Sequence, residues 1–378
     1  MTALPPVLDC WAVTHPGVEP ITAGELGRLG LSPGASEPGG VAFAAAPADL
    51  ARANIHLRTA GRVLVRLAEF KAVSFADLER HGGRVPWSAC VGQSGVVRFR
   101  VTPRKSRLYH QDAIAERLAR AVAAAVPGVR IASGGAEDAE PGEQLFVVRL
   151  FRDRCTVSAD SSGQLLHRRG YRLAASKAPL RETLAAAMLL AVGWDGSRPL
   201  VDPLCGSGTI PIEAALIARN IAPGAGRGFA SEAWPALSGV DWQRLRDAAR
   251  SAVRPATVPI AGSDRDAGAV AAAIHNAERA GVAGDVRFER RALSAAAPPD
   301  AVSGWIVTNP PYGARVGDRR ALRDLYARLG QVVRGPFGGW DVALLVAAPE
   351  LTGQLALPLE ERFVTSNGGI RVRLVVSG

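Results

Sequence analysis

The chain has 378 residues, 48% of them hydrophobic and 21% charged, which suits a soluble globular protein of two or three domains and excludes a disordered or collagen-like chain. The net charge is +10, and no apolar run approaches the roughly 18 residues that a transmembrane helix needs, so we expect no membrane partner. No basic stretch followed by an apolar core opens the chain, so we expect no secretion signal. The four cysteines lack CxxC or CxxH spacing, which predicts no metal site and no disulfide framework and favours the cytoplasm.

The positive charge is concentrated in one region. Residues 51–130 carry 15 basic and 5 acidic side chains, a surplus of +10 that equals the net charge of the whole chain, whereas residues 1–50 have a net charge of −4. A composition bias explains the preference for arginine over lysine, but it does not explain why acidic residues are scarce in this region alone. The distribution therefore favours a polyanionic partner such as a phosphate backbone.

The first 46 residues read as a small α/β unit, with a strand at Leu8–Val13, a helix at Val18–Leu29 and a short strand at Val41–Phe43. In the next region Arg62–Phe70 alternates apolar and polar residues, the period of a half-buried strand. Further elements are predicted as helices at Ala48–Leu57, Ser74–His81 and Tyr109–Val126, as strands at Val96–Val101, Leu145–Leu150 and Arg154–Asp160, as a loop at Ser133–Gly142 and as a connector at residues 161–178.

From Pro179 onward the pattern changes to apolar strands that alternate with helices. This rhythm is typical of a doubly wound parallel sheet, so the predicted fold class is α/β. Its first chemistry-bearing segment is Asp202–Thr209, where an acid and a Gly-Ser-Gly turn separate an apolar strand from a helix. Glycines at this place let backbone amides approach a ligand at the positive end of the helix, although a simple tight turn has the same composition.

The second segment is a strand that ends at Asp264, where a carboxylate could accept hydrogen bonds from ribose hydroxyls. Asp264 and Asp266 both precede a helix, so one of them could be a helix N-cap instead. The third segment is a buried strand that ends in Asn-Pro-Pro-Tyr at 309–312. Proline has no N–H to offer, so carbonyls stay available beside the Asn309 amide oxygen and the flat ring of Tyr312, a set that could hold the exocyclic amine of a nucleobase.

With these segments in this order, the C-terminal half resembles class I S-adenosylmethionine-dependent methyltransferases that modify amino groups. The stretches Asp160–Gly163, His167–Arg172, Ala178–Ala187 and Asn220–Phe229 look like the THUMP-containing RNA guanine-N2 methyltransferases. In the N-terminal half, Ala53–Val65 resembles the start of the THUMP portion. The basic turn Lys105–His110 likewise resembles the family's turn before a helix.

The resemblance implies three domains: a ferredoxin-like domain at 1–48, a THUMP RNA-binding domain at 49–165 and a Rossmann-fold methyltransferase domain at 166–378. It implies S-adenosylmethionine as cofactor and structured RNA as partner, with tRNA favoured over 23S rRNA. The implied cofactor residues are Thr183, Asp202, Cys205, Gly206, Ser207, Gly208, Thr209 and Asp264. The implied catalytic residues are Asn309, Pro310 and Tyr312.

Phosphate contacts are expected from the basic turn and from the connector, at Arg104, Lys105, Arg107, Arg168 and Arg169. Arg98 and Arg100 are also expected phosphate contacts, although they lie on the polar face of a predicted strand, where solvation explains them equally well. The connector arginines, including Arg172, could instead form ion pairs between domains. Glu213, on the helix after the glycine turn, is expected to be a local partner for the backbone or an arginine.

The chain departs from the family at one position. Where relatives often carry an acid that contacts the adenine amine, the sequence places Ala292, so no residue is assigned to adenine. Two other functions remain open at this stage. The acceptor could be another exocyclic amine such as adenine N6, or the chain could be an RNA-binding protein without catalysis.

Overall fold

A computed structural model describes residues 4–132, 140–172, 180–300, 303–311 and 319–377. The chain separates into two compact units. The first unit comprises the chain up to Thr14 together with Thr22–Leu166 and Gly224–Ala248. The second comprises His15–Ile21, His167–Pro223 and the chain from Ala249 onward.

An eight-stranded sheet forms the framework of the first unit, with neighbouring strands in the order β2-β3-β1-β4-β8-β7-β5-β6. Strands β1 and β3 pair antiparallel, β5 and β7 pair parallel, and β7 and β8 form an antiparallel hairpin. The elements up to residue 160 are β1 (Leu8–Val13), α1 (Glu19–Arg28), β2 (Pro33–Glu37), β3 (Gly40–Ala45), α2 (Pro47–His56), β4 (Arg62–Lys71), α3 (Phe75–Gly82), α4 (Trp87–Cys90), β5 (Val96–Arg104), α5 (Gln111–Ala125), β6 (Arg130–Ile131), β7 (Glu143–Phe151) and β8 (Arg154–Asp160).

Aromatic side chains fill part of the core of this unit. Trp87 packs edge-on against Phe146 and Phe99, with ring centroids 4.8 and 6.1 Å apart, and its indole N–H donates to the Gly82 carbonyl oxygen at 2.9 Å. The buried indole therefore keeps its polar atom paired while its ring packs between β5, β7 and α3.

The segment Gly224–Ala248, called the strap below, belongs to the first unit although the chain on both sides of it belongs to the second. Within the first unit, the backbone N–H and the hydroxyl of Ser231 both donate to the Ser161 carbonyl oxygen, at 3.1 and 2.9 Å. The indole of Trp234 donates to Gln144 Oε1 at 2.6 Å. Because these polar groups are buried, their pairing fixes the strap in place.

The second unit contains a seven-stranded sheet in the order β11-β10-β9-β12-β13-β15-β14. The first five strands are parallel, and β15 and β14 pair antiparallel at one edge. The elements after residue 180 are α6 (Glu182–Ala191), β9 (Leu200–Asp202), α7 (Thr209–Ala218), α8 (Trp242–Ser251), β10 (Ile260–Asp264), α9 (Ala267–Arg279), β11 (Arg287–Arg290), β12 (Trp305–Thr308), α10 (Arg319–Arg334), β13 (Asp341–Val346), α11 (Pro349–Thr352), β14 (Leu359–Asn367) and β15 (Ile370–Ser377).

Helices cover both faces of this sheet. One core joins α6 and α7 to the strands, and α7, which is apolar except at Thr209 and Glu213, is buried at every position. A second core packs the amphipathic α10 through Leu322, Tyr326, Leu329 and Val333, which recur at helical spacing. The central strands are buried on both sides, which explains the continuous apolar run in β13.

Most predicted elements are present with small shifts of their ends, and β1 and β8 match the predicted bounds. The sequence reading missed β2, because all five of its residues are exposed and show no apolar alternation. Strand β5 extends three residues beyond the predicted end, since Thr102–Arg104 continue the parallel ladder with β7. Most of the predicted loop at 133–142 and the connector residues 173–178 lie outside the described part of the chain.

The predicted division at residues 48 and 49 stays a prediction, and the strands on its two sides share one sheet. The predicted methyltransferase range 166–378 includes the strap, which folds with the first unit instead.

Candidate active site

Three neighbouring strands of the second unit end at the same edge of the sheet. Strand β9 lies between β10 and β12, and all three run parallel. The chain proceeds from β9 to β10 and β11 on one side and then returns to β12 and β13 on the other. Such a reversal of strand order opens a crevice outside the carboxyl ends of the strands, where ligands of doubly wound sheets bind. Asp264, Asp202 and Asn309 stand at or just after these ends.

The glycine turn after β9 uses backbone conformations that favour glycine. Gly206 and Gly208 have φ angles of +52° and +82°. A Cβ on Gly208 would meet the Phe288 ring at 2.8 Å and Ala273 Cβ at 2.9 Å, whereas a Cβ on Gly206 would meet no heavy atom within 4 Å. Gly208 thus allows close packing of the turn onto β11 and α9, and Gly206 faces open space in which a ligand can approach the backbone.

Asp202 is a buried carboxyl group at the end of β9, and its Oδ1 accepts the Leu204 N–H at 3.1 Å. Burial raises the pKa of Asp202 to about 7, the Thr308 hydroxyl and the Leu204 amide oppose the rise, and the charge of Asp264 adds to it. A carboxyl group with this pKa changes its charge near neutral pH and gains from a nearby cation.

The two acids after β10 have separate roles. Asp266 is the N-cap of α9, since its Oδ1 accepts the Gly268 and Ala269 N–H groups at 2.7 and 3.2 Å. Asp264 reaches back to the glycine turn, where its Oδ2 accepts the Gly206 N–H at 3.1 Å. The N-cap alternative therefore applies to Asp266 and leaves Asp264 beside the turn.

Other predicted cofactor residues lie in the turn, at the start of α7 and on α6. Burial, followed by the charges of Asp202 and Asp264, raises the pKa of the Cys205 thiol, so this cysteine is a neutral packing residue. Thr209 accepts a hydrogen bond from Arg172 at 2.5 Å at the start of α7, and Thr183 is buried in the first turn of α6.

Asn309 follows β12, and its Oδ1 is buried without a hydrogen-bond partner among the described residues. An unpaired buried acceptor is costly, so an amide oxygen in this state is prepared to accept from a ligand. Pro310 is buried beside it. Tyr312, the third predicted catalytic residue, lies outside the described residues.

Sequence reasoning missed Asn276 on α9. Its Nδ2 donates to the Ser207 carbonyl oxygen at 2.9 Å, and its side chain is buried. The signal was present, because Asn276 falls three residues after Ala273 on the apolar face of α9, where a polar residue needs a specific partner.

The predicted phosphate contacts differ in their surroundings. Arg104, the last residue of β5, and Lys105 and Arg107 in the turn after it are exposed, and no ion pair within the described ranges engages them. Asp153 holds this turn by accepting the Arg107 backbone N–H at 2.7 Å. Arg98, by contrast, is tied to Glu143 at 2.7 Å in a nearly buried ion pair, which removes it from the expected phosphate contacts.

The connector arginines also differ. Arg168 is exposed, whereas the Arg169 side chain is 3% exposed and pairs with the fully buried Glu213 at 3.4 Å. Both residues belong to the second unit, so this pair does not link domains. Glu213 is thus a local partner of an arginine, as expected, and Arg169 is poorly placed for a surface phosphate.

The groups at this edge fit S-adenosylmethionine. Open space faces Gly206, a buried carboxyl group is available for a cation at Asp202, and Asp264 stands at the position expected for ribose hydroxyls. Ala292 precedes the short 3₁₀ helix Leu293–Ala295, so the described chain offers no acid at that position for adenine. Within the same ranges, no cluster of three or more His, Cys, Asp or Glu side chains is arranged to hold a metal, and no helix combines the length and apolarity needed to cross a bilayer.

Comparison with known families identifies two regions of the chain. Residues 169–374 match the family described as RMKL-like, methyltransferase domain, and residues 9–64 match the RlmL ferredoxin-like domain. A solved structure, SMU.472, described as a methyltransferase in complex with SAH, superposes with a TM-score of 0.86 at 28% identity and covers 99% of this chain and 98% of its own.

Two curated relatives extend over nearly the whole chain. A protein of Synechocystis sp. named as an RNA methyltransferase is 34% identical, with 97% of this chain and 95% of the relative covered. The ribosomal RNA large subunit methyltransferase K/L of Syntrophotalea carbinolica is 38% identical over 97% of this chain but only 53% of its own length. The chain thus spans about half the length of the K/L relative.

These matches confirm the predicted fold class, with a ferredoxin-like region followed by a Rossmann-like methyltransferase domain. The chain therefore belongs to the family of RMKL-like, S-adenosylmethionine-dependent methyltransferases.

Proposed function

We propose that this methyltransferase transfers the methyl group of S-adenosylmethionine to the exocyclic N2 amine of a guanosine in structured RNA. The observation that carries the proposal is the buried Oδ1 of Asn309, which has no hydrogen-bond partner in the described ranges and lies just after the strand that neighbours β9 and its glycine turn. A primary amine can donate one hydrogen to this oxygen and the second to the Pro310 carbonyl oxygen.

The low reactivity of the amine that accepts the methyl group limits the rate of such a reaction. The lone pair of the guanine N2 amine is delocalised into the ring, so the amine is a weak nucleophile. Hydrogen bonds to Asn309 and Pro310 would favour a pyramidal nitrogen with its lone pair directed away from both oxygens. Holding a reactant in this geometry can lower the barrier by about 7–11 kcal/mol. The oxygen dipoles would also stabilise the positive charge that develops on nitrogen.

S-adenosylmethionine, when bound, supplies an electrophilic methyl group on a sulfonium with a neutral leaving group. The chain then needs no strong base before attack, because the methylated amine becomes acidic and loses its proton readily. In this proposal Asp202 holds the positively charged part of the cofactor, and Asp264 accepts hydrogen bonds from the ribose hydroxyls. The methionine portion is lined by the backbone amides of Gly206, Ser207 and Gly208. Tyr312 is proposed to stack on a base taken out of its helix or loop.

An RNA substrate is supported by the exposed basic turn at Arg104, Lys105 and Arg107. In this proposal residues 49–165 form a THUMP RNA-binding domain, with Arg168 as a further contact. The K/L relative is named for large-subunit ribosomal RNA, which leads us to place 23S rRNA ahead of tRNA. The four free, buried cysteines agree with a cytoplasmic location, which we include in the proposal.

Replacing Asn309 tests the reaction. We expect Asn309→Ala to lower methyl transfer by about 100-fold or more, the size of effect seen when one charge-stabilising group is removed, with RNA affinity nearly unchanged. Asn309→Asp is the matched control, because its carboxylate keeps an accepting oxygen and should retain part of the activity. The measurement is nucleoside mass spectrometry after reaction with separated 23S rRNA and tRNA. Wild-type turnover by Asn309→Ala would contradict the role.

The same experiment separates the alternatives. N2-methylguanosine in either RNA supports the proposal, whereas N6-methyladenosine would assign the site to another exocyclic amine. Calorimetry with S-adenosylmethionine identifies the third case, because an RNA-binding protein without catalysis would bind RNA but not the cofactor.

A further inference from the structure

We propose that Asn276 and Arg279, both on α9, are positioning residues that fix the glycine turn for the cofactor and tie it to the connector at Tyr171. The inference concerns how the cofactor site is held in shape. It depends on cofactor binding by this turn and is independent of which nucleoside is methylated.

Asn276 controls one peptide group of the turn. Its Nδ2 donates to the Ser207 carbonyl oxygen at 2.9 Å, and the N–H of the same peptide group, on Gly208, donates to the Cys205 carbonyl oxygen at 2.9 Å. Because a peptide group is planar, two hydrogen bonds at its opposite ends set the orientation of the whole plane. Asn276 is 3% exposed, so water has little access to replace its bond.

Arg279 determines which way the Asn276 amide faces. Its Nη2 donates to Asn276 Oδ1. A guanidinium has only donors and a carbonyl has only acceptors, so a single orientation of the amide satisfies both neighbours. In that orientation Oδ1 faces Arg279 and Nδ2 faces Ser207. Arg279 therefore acts on the turn through Asn276.

The other end of Arg279 holds the connector. Its Nε donates to the Tyr171 carbonyl oxygen at 2.6 Å. The Tyr171 side chain is buried, and its hydroxyl donates at 3.1 Å to Oε1 of Glu213, four residues after Thr209 on α7. The connector is thereby held to α9 by its backbone and to α7 by its ring. Both helices border the glycine turn, so the contacts form one continuous network.

This network gives the turn its binding shape before the cofactor arrives. A binding site that is already ordered loses less conformational entropy when its ligand binds. Loss of the Asn276 bond leaves this peptide group held at the Gly208 N–H end but not at the Ser207 carbonyl, so its orientation is less fixed and we expect the affinity for the cofactor to fall. At saturating cofactor the methyl-transfer rate should change much less, because neither residue touches the reacting atoms.

The test is isothermal calorimetry with S-adenosylhomocysteine on the full chain. We expect Asn276→Ala to raise Kd by about tenfold, the effect of losing one buried hydrogen bond. Asn276→Asp should be at least as damaging, because an ionised carboxylate still accepts from Arg279 but places oxygen against oxygen at Ser207. Arg279→Met should weaken binding less. His275→Ala, an exposed neighbour on the same helix, is the matched control and should bind as wild type.

A double variant distinguishes a relay from two separate effects. If Arg279 acts through Asn276, then Asn276→Ala with Arg279→Met should bind no worse than Asn276→Ala alone. Unchanged Kd in folded Asn276→Ala and Arg279→Met, with unfolding midpoints close to that of wild type, would overturn the inference. If the losses of affinity in the two single variants add fully in the double variant, Arg279 does not act through Asn276, and that part of the inference is wrong. Since the readout is ligand binding, failure of the guanosine proposal would leave this result interpretable.

Discussion

Asp202 is the buried carboxyl group that we propose holds the positive charge of the cofactor. Its pKa is raised to about 7 in the free protein, chiefly by burial, so the carboxyl group is largely protonated below that pH. A bound cation favours the charged carboxylate, which means that binding S-adenosylmethionine at lower pH must release this proton.

We therefore expect the affinity for S-adenosylmethionine to rise from pH 6 to pH 8, by at most about tenfold per pH unit below the pKa, and then to level off. S-adenosylhomocysteine lacks the sulfonium charge and should show a weaker dependence. Calorimetric titrations across this pH range provide the measurement. Asp202→Asn should bind more weakly and without the slope, and a flat profile in the wild-type chain would contradict the assignment.

The two glycines in the turn between β9 and α7 have different surroundings. Gly208 packs closely against neighbouring side chains, whereas Gly206 faces open space. A Cβ on Gly208 would overlap the Phe288 ring, so Gly208→Ala should lower the free energy of unfolding by about 1–3 kcal/mol. A Cβ on Gly206 would point into open space, so Gly206→Ala should cost only about 1 kcal/mol from its left-handed backbone but should obstruct the cofactor.

Thermal unfolding and calorimetry with S-adenosylhomocysteine, applied to both variants, test this division. Gly208→Ala should show the larger loss of stability, and Gly206→Ala should show the larger loss of affinity relative to its stability. The reverse order would mean that the open space at Gly206 is not where the ligand binds.

At the level of elements, the sequence predicted most of what local pattern controls. Apolar alternation located β4, and the strand-acid-glycine order located the turn after Asp202. The contact between Asn276 and Ser207 escaped prediction, because it joins residues 69 positions apart in the chain and depends on how α9 packs. For the same reason the sequence predicted an arginine as a partner of Glu213 but did not identify it as Arg169, which reads as surface charge and is enclosed.

Across the whole molecule, the surplus charge of residues 51–130 is less available than the sequence suggests. Arg62 and Arg98 are enclosed in ion pairs with Asp160 and Glu143. The exposed turn at Arg104, Lys105 and Arg107 is the part that we expect to meet RNA phosphates. Burial of Arg62 and Arg98 follows from the sheet, which places their side chains against acids of neighbouring strands.

Salt titration measures that contribution. The logarithm of RNA affinity should fall linearly with the logarithm of salt concentration, and replacing Lys105 by Gln should reduce the slope by about 0.7–0.9. Arg80→Gln is the control, since Asp77 already pairs with that guanidinium at 3.0 Å. An RNA affinity that is insensitive to salt would exclude phosphate neutralisation by this turn.

The strap limits where the chain can be divided into two separate fragments. Residues 224–248 belong to the first unit, although the chain on both sides of them belongs to the second. Dividing the chain at residue 166 therefore cannot yield two complete units. The N-terminal fragment would lose the partner of its Gln144 side chain, and the C-terminal fragment would carry Trp234 without its binding place. Exchange of one half for another at residue 166 would meet the same obstacle, so the two units are expected to be inherited together.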